Sequence, residues 1–278
     1  MTPDASVGAV GVCQHLPTRG RAVAKPASPG ARNPDSASRP AAYSRRVRAI
    51  TPNSDERHAA FCAQCGGLPR TRDHVPPKAF LDEPFPTNLP VVGTCGPCNS
   101  SASVDEEYVA CLIEVAACGS AVPEDLERPR VRRALGRSAA LAARFRAALD
   151  PEAVTVEAEA GRVRRVVEKM ARGLWAYELA EPALGMSARV GFRPLHTMDG
   201  STRNAFEHSP PPAVFAEVGS RMITRQALGL CEGNVGAALG WLLVQPNRFR
   251  YAVEFDERSI VKLVLREYLA VEVRFTER

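Results

Sequence analysis

Two C-x-x-C pairs, Cys62 with Cys65 and Cys95 with Cys98, stand 29 residues apart and limit this chain more than any other feature. Each pair makes a tight knuckle whose two thiolates aim at one ion. Two knuckles complete a tetrahedral sulfur shell with no open position, so the ion expected is a structural Zn²⁺. Binding of that kind supplies about 10–16 kcal/mol toward folding. The intervening segment needs such a staple, because Pro69, Pro76, Pro77, Pro84, Pro86 and Pro90 oppose long regular elements. Cys13, Cys111, Cys118 and Cys231 have no ligand spacing; Cys111 and Cys118 fall in an apolar helical pattern as small buried hydrophobes.

Thiols that hold metal rather than form disulfides suit a reducing compartment. The N-terminus lacks the apolar core of a secretory signal. No apolar run approaches bilayer length. A cytoplasmic protein with no membrane partner is therefore expected.

Between and just after the knuckles lie Asp73, His74, Asn88 and Asn99. An imidazole can take a proton from water near neutral pH. A carboxylate and a carboxamide offer oxygen to Mg²⁺, which neutralises charge building on a scissile phosphate. Asn88 can hold the ring by a hydrogen bond and so decide which nitrogen is free as the base. Adjacent side chains of a regular strand point to opposite faces. For Asp73 and His74 to serve one site, the strand is expected to break there, enforced by Pro76 and Pro77.

At these residues the chain resembles the HNH endonuclease family. Asp73, His74 and Pro77 look like the family's Asp-His-x-x-Pro signature, Asn88 like its central Asn, and Cys95, Cys98 and Asn99 like the C-x-x-C-Asn close of its zinc-bearing subset. The run from Asp73 to Leu81 is also similar to the HNH domain of RNA-guided CRISPR nucleases, with the same interval from His to the central Asn. The resemblance implies an N-terminal ββα-metal (treble-clef) zinc finger and an endonuclease that hydrolyses phosphodiester bonds in nucleic acid, DNA first. It makes His74 the general base, Asn88 the residue that orients it, and Asp73 and Asn99 ligands of a catalytic Mg²⁺ or Mn²⁺. It covers residues 62–102 only. Paired glycines common in the family are replaced by a stretch beginning at Lys78, and the basic residue common after the last Asn is absent. Arg72 and Lys78 are then the nearest candidates for phosphate contacts. Read from its residues alone, the segment also allows a non-catalytic zinc module that binds nucleic acid or protein.

Charge is unevenly placed. Residues 1–55 hold eight basic and three acidic groups, residues 56–120 four and eight, and residues 121–278 twenty-four and twenty. A nucleic-acid grip must come largely from outside the motif region. The division expected is a basic tail without regular structure at 1–55, a finger at 56–120, and an α+β region of unassigned role at 121–278. Ser103 and Glu106 predict a capping box opening a helix over 104–118, which Gly119 stops. A second helix is expected at 130–149, a short strand at 153–157 broken at Ala160 and Gly161, and a third helix at 163–180 with Val163, Val166, Val167, Met170 and Leu174 on its apolar stripe. Arg162, Arg165, Lys169 and Arg172 share its other face, either as a stripe that tracks phosphates or as a solvated surface. Strands at 241–245, 248–255, 260–265 and 269–275, with a turn at Pro246 and Asn247, predict a C-terminal antiparallel sheet.

Overall fold

A computed structural model describes residues 60–149, 156–208, 214–233, 240–255 and 259–277. The expected tail at 1–55 lies outside them. Two short strands, β1 (Thr71–His74) and β2 (Val91–Thr94), pair antiparallel with Asp73 opposite Val92 and His74 opposite Val91. The chain then enters α1 (Gly96–Ser100) and α2 (Ser103–Cys118). The capping box does not form. Ala102 is already helical in backbone, its carbonyl accepts from Glu106 N at 2.7 Å, and Ser103 Oγ donates back to Ser100 O. A residue that follows helical backbone has no free helix start to cap. Gly119, left-handed at φ 66°, closes α2 as expected.

The helix expected at 130–149 is two helices, α3 (Pro129–Arg137) and α4 (Ala139–Ala148). Ser138 separates them with extended backbone, and its hydroxyl accepts from Leu141 N to cap α4. Residues 153–155 lie outside the described residues. Val156 and Glu157, expected in a strand, open α5 (Val156–Leu179), which runs through Ala160 and Gly161 without a break. One helical glycine costs about 1 kcal/mol. The stripe of Val163, Val166, Val167, Met170 and Leu174 is buried as expected, and burial of each such side chain is worth about 1.5–3 kcal/mol.

The second sheet is antiparallel throughout, in the order β3-β7-β6-β5-β4, from β3 (Met186–Pro194), β4 (Leu242–Gln245), β5 (Phe249–Glu254), β6 (Ser259–Leu265) and β7 (Leu269–Glu277). The last four match the expected strands. Two helices, α6 (Gly200–Glu207) and α7 (Arg221–Cys231), stand between β3 and β4, a stretch for which no helix is expected from the sequence. Ser220 caps α7 and Asp199 caps α6 through their side chains. Alternate residues of β6 face two ways. Val261, Leu263 and Leu265 join the main core with α5, while Val264 packs with Phe206 of α6 and Leu195.

That main core runs from Ala63 and Val75, through Val109 and Val166, to Val273 and Phe275. The described residues on either side of position 120 therefore share one hydrophobic interior, with α5 between the small hairpin and the large sheet. Among the described residues no helix is long and apolar enough to cross a membrane.

Candidate functional site

The four cysteines converge. Their sulfurs all lie within 4.8 Å of one another, and Cys65 Sγ stands 3.8 Å from Cys95 Sγ. A tetrahedron with Zn–S bonds of about 2.3 Å has edges of about 3.8 Å, so the donor set fits Zn²⁺. Backbone bonds shape both knuckles. Gly66 N donates to Cys62 O and Cys62 N to Gly67 O, while Asn99 N donates to Cys95 O in the first turn of α1. Burial alone would raise the Cys62 thiol, but hydrogen bonds from the backbone of Cys95, Cys65 and Gln64 outweigh it and bring the pKa to about 7. Burial, with the thiols of Cys95 and Cys65, pushes Cys98 well above the ordinary thiol range. Crowded thiols of this kind ionise together only around a cation.

β1 does not break at Asp73 and His74. Both are paired with β2, and Val75 N adds a further bond to Pro90 O. Strand pairing stops at His74, and Val75, Pro76 and Pro77 follow outside β1, so the break falls just after the pair and not within it. Asp73 and His74 consequently face opposite sides. The inner side carries Thr71, Asp73 and Val75. Asp73 and Val75 are buried, and Val75 packs against Gly173 of α5, where an added Cβ would lie 2.8 Å from Val75 Cγ2. Asp73 Oδ2 accepts from Lys169 Nζ at 2.9 Å, one turn earlier on α5. The outer side carries Arg72, exposed, and His74, partly exposed.

Burial lowers the His74 pKa, the Lys78 charge lowers it further, and Asp73 opposes them in part. The ring is thus neutral at neutral pH. Lys78 is exposed, and its Nζ also lies 5.1 Å from the Phe85 ring centroid. Asn88 is exposed, and among the described residues no hydrogen bond joins it to His74. Asn99 reaches β1: its Nδ2 donates to Thr71 Oγ1 at 3.1 Å and to Arg72 O at 3.4 Å.

Asp73 and Asn99, expected to share Mg²⁺ or Mn²⁺, do not fit that ion as they stand. Mg²⁺ demands near-octahedral oxygen geometry and keeps several waters. Here the Asp73 carboxylate is buried against an ammonium, and the Asn99 amide is turned onto the strand.

The basic face of α5 is neither a free phosphate track nor a solvated surface. Arg165 pairs with Asp105 at 2.8 Å, and Arg162 stands over the Tyr108 ring with Asp105 beside it at 3.7 Å. Lys169 holds Glu106 as well as Asp73. Arg172 donates to Ala183 O and Met186 O and pairs with Glu168. The stripe clamps α5 to the acidic start of α2 and to the edge of β3. Of the four, only the Arg165 side chain is largely exposed, at 62%. Glu106 is the site residue that sequence reasoning missed. Its partner Lys169 stands 63 positions away, and only the packing of α2 against α5 brings them together.

No family model, curated protein or solved structure matches the chain.

Proposed function

We propose that the hairpin, the two knuckles and α1–α2 form a treble-clef unit of HNH type that hydrolyses phosphodiester bonds in nucleic acid, DNA first, with His74 as general base. The observation that carries this reading is the outer side of β1, where a partly exposed imidazole, its pKa lowered by burial and by Lys78, stands with exposed Arg72. His74 takes a proton from water and the hydroxide attacks phosphorus. The bond to the leaving oxygen breaks, and that oxygen regains a proton from the imidazolium or from solvent. Arg72 and Lys78 counter the negative charge that grows on the phosphoryl oxygens. Cys62, Cys65, Cys95 and Cys98 would hold zinc as part of the frame, with no coordination position left for substrate.

A second reading, a non-catalytic zinc module that binds nucleic acid or protein, is favoured by one observation: Asn88 does not hold the His74 ring. The two readings separate on supercoiled plasmid and on labelled single-stranded DNA and RNA, each incubated with the zinc-loaded protein. Cleavage is expected. Binding without cleavage of any of the three substrates selects the module instead. Cleavage should hold as pH falls to the ordinary imidazole range near ~6.5 and decline below it, because the lowered pKa keeps His74 unprotonated further into acid.

A further inference from the structure

Lys169 Nζ sits among three oxygens supplied by three different elements: Asp73 Oδ2 of β1 at 2.9 Å, Glu106 Oε1 of α2 at 2.6 Å, and the backbone carbonyl of Asn99 in α1 at 3.3 Å. The lysine, the aspartate and the glutamate are all buried. An ammonium has three protons, and this seat offers an acceptor to each. The same helix turn is fixed from the other end, where Gln64 Nε2 of the first knuckle donates to Lys169 O at 3.0 Å. Two carboxylates and a carbonyl are also the hard oxygen donors that a divalent ion selects.

We infer that Lys169 is the resident cation of this seat, standing where a divalent ion would otherwise bind, so that Asp73 takes no Mg²⁺ or Mn²⁺ in this chain. A divalent ion would have to expel the ammonium and leave it buried without partners. It would also need room for its waters beside a carboxylate that is already covered. Lys169 is then a positioning residue. Its ammonium ties β1, α1 and α2 to α5 behind the strand and so fixes the backbone that presents His74 on the other side. The inference rests on the seat alone and not on the hydrolysis proposed above.

Mn²⁺ binding to the zinc-loaded full chain, read from the electron paramagnetic resonance of free Mn²⁺, tests it without any activity assay. The wild type is expected to bind no Mn²⁺ that Asp73→Asn removes. Lys169→Ala vacates the seat and is expected to gain one Mn²⁺ site, at least roughly tenfold tighter than any in the wild type because two carboxylates lose their internal cation. Asp73→Asn in that background should abolish the gain. A wild-type site lost on Asp73→Asn overturns the inference, and so does a zinc-replete Lys169→Ala protein that gains no site. Should Lys169→Ala fail to retain zinc, Lys169→Met keeps the buried stem and removes only the charge, and the wild-type arm stands without either variant.

Discussion

On the inner side of β1, Asp73 meets Lys169, and just past the strand Val75 closes on Gly173; both are buried. On the outer side, Arg72 is open to solvent and His74 partly so, with Lys78 nearby. The two sides differ by a single residue of register, yet one is fixed by packing and charge, while among the described residues the Arg72 and His74 side chains of the other have no hydrogen bond or ion pair. A strand this short cannot hold its own position. The inner side and the knuckles do that, and this leaves the outer side free of structural duty. Substitutions on the inner side and in the knuckles should therefore move stability, and substitutions on the outer side should move chemistry.

The largest effect belongs to the frame that both sides share. Cys95→Ser opens the sulfur shell, and the loss of about 10 kcal/mol of metal binding should unfold the hairpin. Zinc assay of the purified protein should find the ion gone; unchanged stoichiometry would refute the ligand set. Next comes Asp73→Asn, which strips one partner from a buried ammonium. Glu106 remains, so the expected cost by denaturant titration is about 3 kcal/mol, the low end for a broken buried pair. A neutral result would place Asp73 outside the anchoring.

Gly173→Ala probes the same side by size. The added methyl has Val75 Cγ2 at 2.8 Å and must push a stiff side chain just past the strand. After the gain in helix propensity, a net loss of about 1 kcal/mol is expected. Val75→Ala in the same chain should lessen it, and additive effects of the two changes would break the proposed contact.

The smallest effect lies at a second tie, where Asp82 pairs with Arg128 and Arg248 and so joins the segment after β1 to α3 and the large sheet. Burial raises the Asp82 carboxyl, but hydrogen bonds from Arg128 and Arg248 outweigh it and hold the pKa below the ordinary value. A carboxylate with a depressed folded pKa contributes stability above its unfolded value, about 3.9, and loses it as pH falls through the folded one. Asp82→Asn should thus be less stable than wild type near neutrality, with the difference shrinking below about pH 4. A constant difference across that range would mean that the charge is not what the arginines hold.

The sulfur cluster was legible in the sequence because its spacing is local and only one geometry satisfies it. The last four strands were legible for a similar reason, since β-branched alternation writes their faces directly. The sides of β1 were misread. Two prolines suggested a break at Asp73, whereas pairing runs through His74 and stops only after it, so the two side chains still alternate. The basic stripe of α5 was misread because its partners Asp105, Glu106 and Asp73 lie far away in sequence, and period 3.6 says which residues share a face but not what faces them. The split at Ser138 shows the same limit, since a single cap overrode a continuous apolar pattern.

The most direct test of a free outer side is His74→Ala, assayed together for thermal stability, zinc content and plasmid cleavage. The account predicts unchanged zinc, stability within about 0.5 kcal/mol of wild type, and cleavage lowered by about 10²–10⁴. Cleavage equal to that of wild type would contradict it, and so would loss of the fold in place of loss of the chemistry.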